Sequence, residues 1–244
     1  MGVTRHILET TDSTNAHGLR LAAMLDGPAW FMAHTQTSGR GRRQRPWISP
    51  RGNFYATLIM HPTEAVDQVA LRSFVAALAL RDTLVALTGF AGAFGLKWPN
   101  DVLLNGGKVA GILLESQSRA DGVTHLAVGI GVNLITAPDA RGVEPGAVVP
   151  VSVLAETGLR ITPQGFLDVL APAFSRWETV FAATGFAPVR AEWLAHATKL
   201  GEVITARTGN DVRSGVFQTI DEAGNLILQM PKGPVAIPAA EVFF

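Results

Sequence analysis

Cysteine is missing altogether from the 244-residue chain. Its absence excludes disulfides, thiolate metal sites and a cysteine nucleophile, and it suits a cytoplasmic protein without requiring one. Net charge is missing as well, since 20 Lys+Arg offset 20 Asp+Glu. A chain devoted to nucleic acid usually carries a basic excess, and the sequence also lacks the aromatic-rich strand motif of an RNA-binding module. There is no long apolar run. The longest stretch free of Asp, Glu, Lys and Arg, Gly122 to Pro138, contains His125 and Asn133 and reads as strand and turn rather than a membrane span. Residues 1–11 carry Arg5, His6 and Glu9 and have no apolar core of a secretory signal. No Walker A phosphate loop occurs, which sets aside the P-loop NTPases. Internal repeats and low-complexity linkers are absent too.

What is present is a core-forming chain, 48% hydrophobic and long enough for one large domain and a small one. Asp12-Ser13-Thr14-Asn15 before Leu19, Leu21, Ala22 and Leu25 reads as a capped helix start. Residues 29–33 and 54–60 read as strands, and 66–87 as a long helix with apolar residues at three- and four-residue spacing. Residues 102–104, 109–114 and 126–130 are short apolar runs typical of buried strands. Thr162-Pro163 opens a helix carrying Phe166, Leu170, Phe174, Trp177 and Phe181, which Pro172 is expected to kink. After about His196 the pattern changes to short runs, 201–208, 212–220, 226–229 and 235–237. They are separated by Gly209-Asn210-Asp211, Asp221 to Asn225 and Pro231 to Pro234, as in a small all-β domain. We therefore expect domains at 1–196 and 197–244.

Three segments carry chemistry. Ser38-Gly39-Arg40-Gly41-Arg42-Arg43-Gln44-Arg45-Pro46-Trp47 packs four arginines and two glycines into a stretch with no acid. The arginine fork suits phosphate, and glycines let backbone N–H groups approach the same anion. A terminal tryptophan can stack on a flat base or cover an apolar ligand. A solvated basic loop is the plain alternative. In Lys97-Trp98-Pro99-Asn100-Asp101, followed by Gly107 to Glu115, Lys97 is a lone cation in apolar surroundings. Its partner is either a structural carboxylate, Asp101 or Glu115, or the anion of a ligand; the role of Lys108 is open. In Val128-Gly129-Ile130-Gly131-Val132-Asn133 no third glycine follows, so a dinucleotide fingerprint is weak. Glycines in an apolar strand mark instead a close approach by a ligand or another backbone. Ser13, Thr14 and Asn15 read equally as capping residues, Gln36 as an exposed amide, and Asn133 as a turn cap.

Taken in order, Asp-Ser-Thr-Asn, a glutamine before Gly-Arg-Gly-Arg-Arg-x-Arg-x-Trp, Lys-Trp-Pro-Asn-Asp, Lys-Val-Ala-Gly-Ile-Leu-Leu-Glu and Gly-Ile-Gly-Val-Asn resemble the biotin–protein ligase family. The resemblance runs from about residue 10 to the end. It implies an α/β fold, a mixed β-sheet catalytic domain with packed helices related to class II synthetases, and an SH3-like C-terminal β-barrel. It implies formation of biotinyl-5'-AMP from biotin and ATP with Mg2+, then transfer to a lysine of a biotin carboxyl carrier protein. A lipoate or octanoate ligase is the alternative, though it usually has a glycine-richer loop at 39–43.

The same resemblance implies residue roles. Ser13, Thr14, Asn15, Gln36, Gly39, Arg40, Gly41, Arg42, Lys97, Gly111 and Gly129 would bind biotin. Arg40, Arg42, Arg45, Trp47, Lys97 and Asn133 would bind ATP or the adenylate, with Trp47 on the adenine face and Asn133 at its edge. Lys97 and Arg42 would be catalytic, and the Gly39–Trp47 loop would order over the anion. The ligase motifs begin too near the N-terminus for the helix-turn-helix domain of the family's repressor branch, so neither DNA nor membrane is an expected partner. A homodimer is open, and no magnesium ligand is identifiable.

Overall fold

The structure is a computed structural model and describes residues 3–119, 122–139, 141, 146–209, 211–238 and 240–244. Asn210, in one of the expected turns, lies outside the described residues. A seven-stranded mixed sheet forms the larger layer. Its strands are β1 (Thr4–Thr11), β2 (Ala29–Gln36), β3 (Phe54–Met60), β4 (Phe94–Lys97), β5 (Asp101–Leu104), β6 (Gly107–Arg119) and β7 (Gly122–Val132). They lie in the order β1-β2-β3-β7-β6-β5-β4. Only the β1–β2 pair is parallel. A five-stranded antiparallel sheet follows, with β8 (Val203–Thr208), β9 (Asp211–Ile220), β10 (Leu226–Met230), β11 (Gly233–Ile237) and β12 (Glu241–Phe243) in the order β11-β10-β9-β8-β12. No described helix is long and apolar enough to cross a membrane.

The helices are α1 (Thr14–Leu21), α2 (Val66–Ala70), α3 (Arg72–Thr88), α4 (Val153–Thr157), α5 (Pro163–Thr184) and α6 (Phe186–Ala195). α3 is buried along most of its length, packing Phe74, Val75, Leu78 and Leu80 into the core with Phe166, Phe174 and Trp193. α1 covers the sheet with a smaller apolar cluster around Ala22, Phe31 and Ile59. This division sets the site: α3, α5 and α6 supply the bulk of the core, while the first turn of α1 is left to line a cavity.

Four differences from the sequence patterns have physical reasons. The helix expected over 66–87 is two helices that meet at Leu71. α5, expected to kink at Pro172, is one continuous helix through that residue. Both Pro172 and Asp168, whose carbonyl loses its donor, are exposed, so water can satisfy that carbonyl. β1 is an edge strand with most of its residues exposed, which leaves no buried alternation to read. α6 contains Pro188 in its first turn, where a missing N–H costs nothing because it has no intrahelical partner.

Candidate active site

A cavity of about 420 Å³ opens between the larger sheet and β12. Ser13, Thr14 and Asn15 enter it from the first turn of α1, and Gln36 from the end of β2. Ser13 occupies the N-cap position, yet its side chain makes no capping bond; the preceding Asp12 carboxylate accepts the Ser13 N–H at 2.8 Å instead. Asp12 is bound by both terminal nitrogens of Arg20, at 2.7 and 2.9 Å, which holds its carboxyl well below the usual range. Capping therefore does not occupy the Ser13 hydroxyl, and Ser13 lines the cavity.

Asn15 is clamped at both ends. Its Nδ2 donates to the Leu113 carbonyl at 3.2 Å and the Glu115 carboxylate at 2.8 Å, and its Oδ1 accepts from Thr57 Oγ1 at 2.6 Å. The sheet register explains the arrangement, because Gly129 of β7 lies opposite Thr57 of β3 on one side and Leu113 of β6 on the other. The Asn15 amide lies across that glycine. A Cβ at 129 would stand 2.2 Å from Asn15 Oδ1, so only glycine admits the side chain.

One step along the same strands, Gly111 and Gly131 face each other across β6 and β7, and the Trp47 indole lies on both. A Cβ at 131 would come within 2.7 Å of the ring and one at 111 within 3.3 Å. Lys108 Nζ sits 5.6 Å from the Trp47 ring and forms a 2.7 Å ion pair with Asp101. Lys108, left without a role by its sequence context, thus neutralises Asp101 beside the tryptophan.

The arginine segment is folded back on itself. Trp47 N–H donates to the Gly39 carbonyl and Gly41 N–H to the Arg45 carbonyl, each at 2.8 Å, and Arg40 bridges Pro46. A Cβ on Gly39 would lie 2.6 Å from the Trp47 carbonyl and 2.8 Å from Gln36 Nε2. Gly39 therefore serves the base of the loop and does not line the cavity, whereas Arg40, Gly41, Arg42, Arg45 and Trp47 do. Arg40 pairs with Glu115 at 3.1 Å. Arg42 donates to the Ala240 carbonyl at 3.1 Å, and burial pulls its pKa down. Glu241 of β12 collects Arg43 at 3.1 Å, Arg207 at 2.7 Å and Arg45. Arg45, which the motif reading aims at a phosphate, here faces a carboxylate from the second sheet.

Lys97, at the end of β4, is buried with 9% of its surface exposed. Neither carboxylate suggested as its structural partner takes that role, because Glu115 holds Arg40 and Asn15 while Asp101 holds Lys108. Among the described residues Lys97 makes no ion pair; its Nζ lies 5.6 Å from the Phe244 ring. Burial lowers its pKa, with nearby Asp101 pulling upward and Lys108 and Arg42 downward. A buried ammonium without a counter-ion is costly, so the arrangement favours a ligand anion.

Asn133 is the other site residue that does not reach the cavity. It is buried, and its Nδ2 donates to the Val151 carbonyl at 3.1 Å, pinning the segment after β7. Three residues outside the sequence reading belong here: Thr57, Ser49 and Glu241. Thr57 alternates in a strand like any packing residue, Ser49 follows the motif in an unpatterned stretch, and Glu241 lies about two hundred positions from Arg43 and Arg45; none carries a local signal.

The cavity thus has a polar end, a glycine floor under an indole, and a cationic end with Lys97 unpaired. It fits an elongated ligand with a hydrogen-bonding head, an apolar body and an anionic tail that meets further anions. Comparisons with known proteins agree with that shape. Residues 7–133 match the model of the biotin/lipoate A/B protein ligase family, and residues 199–244 match the biotin protein ligase C terminal domain. The biotin–[acetyl-CoA-carboxylase] ligase of Paracoccus denitrificans is 57% identical, covering 98% of this chain and 99% of that protein. The bifunctional ligase/repressor BirA of Bacillus subtilis (strain 168) is 30% identical, covering 97% of this chain and 71% of that protein. The solved biotin protein ligase from Aquifex aeolicus in complex with biotin and ATP superposes with a TM-score of 0.80 at 25% identity, covering 98% of this chain and 97% of that one.

Proposed function

Because the chain belongs to the biotin/lipoate A/B protein ligase family, we infer that it activates biotin with ATP and transfers it to a lysine of a biotin carboxyl carrier protein. The observation that carries this reading is one cavity with clamped polar side chains at one end and the unpaired, buried Lys97 at the other. Biotin is favoured over lipoate or octanoate because the C-terminal match is to the biotin protein ligases and the 57% identical relative is one. The carrier acceptor follows from that relative's name. The same reading divides the chain into a catalytic domain, 1–196, and an SH3-like domain, 197–244.

In the first step a carboxylate oxygen of biotin attacks the α-phosphorus of ATP. The bond from that phosphorus to the bridging oxygen breaks, and pyrophosphate leaves. Two anions must meet, so the barrier is largely electrostatic. Lys97 and Arg42, both drawn out of water, are placed to neutralise the approaching carboxylate and the charge that builds on the phosphoryl oxygens, at about 1.5–3 kcal/mol for each charge-assisted hydrogen bond. Ser13, Thr14, Asn15 and Gln36 hold the ureido ring, while Gly129 makes room for the Asn15 amide and Gly111 for the Trp47 indole. The loop backbone at Arg40 and Gly41 covers the ligand, keeping water from the mixed anhydride, and Trp47 offers a flat face to the adenine. Arg40 and Arg45 carry further positive charge to the nucleotide, and magnesium enters as the complexed form of ATP. Asn133 acts through the segment it pins rather than at a base edge. In the second step the acceptor amine attacks the acyl carbon, loses a proton, and AMP departs.

The test is incubation with ATP, magnesium and either biotin, lipoate or octanoate, following pyrophosphate release with hydroxylamine as the trap. Biotin-dependent release is expected. Its absence would sink the reading, and release with lipoate alone would replace biotin by lipoate.

A further inference from the structure

The polar end of the cavity is useful only if each amide presents the correct end to the ligand. An asparagine or glutamine can turn over and exchange a donor for an acceptor, so something behind the cavity wall must fix the polarity. Two buried hydroxyls stand in that position. Thr57 is fully buried, with Oγ1 2.6 Å from Asn15 Oδ1 and 2.8 Å from Thr14 Oγ1. Ser49, 9% exposed, has Oγ 2.8 Å from the Trp47 carbonyl and 3.1 Å from Gln36 Nε2.

The directions of the bonds made by Asn15, Thr57, Ser49 and Gln36 follow from the donor inventory once Asn15 Nδ2 and the Trp47 carbonyl are fixed. Asn15 Nδ2 is held against two acceptors, the Leu113 carbonyl and the Glu115 carboxylate, so the other end of that amide is the oxygen. Thr57 must therefore donate its one hydrogen to Asn15 Oδ1. Its own oxygen remains as an acceptor, 2.8 Å from the Thr14 hydroxyl. At the other side, Ser49 faces a backbone carbonyl and must donate to it, so it accepts from Gln36 Nε2. Gln36 Oε1 then turns toward Thr14, accepting its N–H at 2.8 Å and standing 3.2 Å from its hydroxyl. The Thr14 hydrogen has only acceptors behind the wall, Thr57 and Gln36. Its remaining lone pairs are left to a ligand N–H.

We propose that Thr57 and Ser49 are positioning residues that set the donor–acceptor polarity of Thr14, Asn15 and Gln36, and so make the polar end of the cavity an acceptor site for the N–H groups of a cyclic urea. The inference rests on the biotin reading above. The network begins at Arg40, which holds Glu115, and ends at the Trp47 carbonyl, so both anchors lie on the arginine loop.

The experiment compares wild type, Thr57→Val, Thr57→Ser and Ser49→Ala. It measures biotin Kd by calorimetry and the separate KM values for biotin and ATP in biotin-dependent pyrophosphate exchange. Valine keeps the shape of threonine and removes the hydroxyl, which leaves Asn15 Oδ1 without its donor. It should raise the biotin Kd and KM about tenfold, the equivalent of one lost buried hydrogen bond, with the ATP KM within about twofold of wild type. Serine restores the hydroxyl and should return the biotin KM to within about threefold. Ser49→Ala releases Gln36 and should again raise the biotin KM selectively, which tests the same wiring if Thr57→Val does not fold. Equal biotin KM in Thr57→Val and wild type would overturn the proposal. So would equal damage by valine and serine, which would assign the effect to packing, or parallel rises in both KM values. A wild type that bound no biotin would overturn the ligase reading and this inference with it, whereas normal wild-type binding with insensitive variants would overturn this inference alone.

Discussion

Gly129→Ala should cost both stability and biotin affinity. The new methyl would stand 2.2 Å from Asn15 Oδ1 and 2.8 Å from its Cγ, more than an ångström inside ordinary contact at the oxygen. The amide has no free direction of retreat. It is held by Thr57 at 2.6 Å, Glu115 at 2.8 Å and Leu113 at 3.2 Å, and a shift of that size breaks at least one of these bonds. Overpacking costs about 1–3 kcal/mol and a lost buried hydrogen bond about 1 kcal/mol. The lower unfolded-state entropy of alanine returns about 0.4–1 kcal/mol. The net is about 1–3.5 kcal/mol, a fall in Tm of roughly 2–14 °C for a chain of this size. Differential scanning calorimetry with and without biotin is the assay, and the ligand-induced rise in Tm should shrink as well. Gly131→Ala is the internal control. Its methyl meets the Trp47 indole at 2.7 Å, a side chain on a loop that can swing away, so it should spare most of the Tm and raise the KM for ATP. Wild-type Tm and biotin response in Gly129→Ala would refute the clamp.

Lys97→Met should abolish adenylation, read as pyrophosphate release, and raise the Tm of the ligand-free protein at neutral pH. Burial lowers the Lys97 pKa, so the folding cost of its charge is fully present below that lowered value and disappears as pH rises through the ordinary lysine range. The gain in Tm should shrink in alkaline buffer, and a constant gain would show that the charge is not its source. Arg42→Gly should let the adenylate escape and label bystander lysines, visible on a streptavidin blot of added albumin; clean labelling of the acceptor alone would count against the loop as a cover. Glu241→Gln removes the carboxylate shared by Arg43, Arg45 and Arg207, and trypsin should then cut the loop faster, with ATP restoring protection. An unchanged digestion rate would mean that the loop's own backbone bonds suffice.

What the sequence made readable was whatever has a local cause. Gly129 and Gly131 stand out because glycine in an apolar strand has few uses other than close approach, and Asn15 and Trp47 are what approach. Strands buried on both faces, such as β3, are legible as short apolar runs, and helices with a buried stripe, such as α5, by their period. β1 is not, because its exposed edge carries no alternation. Lys97 was ambiguous until both candidate carboxylates were found engaged elsewhere. Thr57, Ser49 and Glu241 were invisible for a different reason. Their work consists of pairings across 42, 13 and up to 198 positions, and a threonine in a strand or a lone glutamate near a turn looks the same whether or not such a partner exists. Asn133 shows the converse: a motif position whose side chain the fold turns toward Val151 instead of the cavity.

The contribution of β12 to the cavity wall also bears on when the protein can become active. Ribosomes deliver the chain from the N-terminus, and domains fold as they emerge, at about 5–20 residues per second. The seven-stranded sheet is complete in sequence at Val132, whereas Glu241 follows roughly 5–20 s later at those rates. Through that interval the Lys97 end of the cavity lacks one side, and Arg43 and Arg45 lack their carboxylate. Any reactive anhydride made then would meet water and the lysines of the translating ribosome. The side of the cavity that Glu241, Val242 and Phe243 line is therefore missing until β12 has been made.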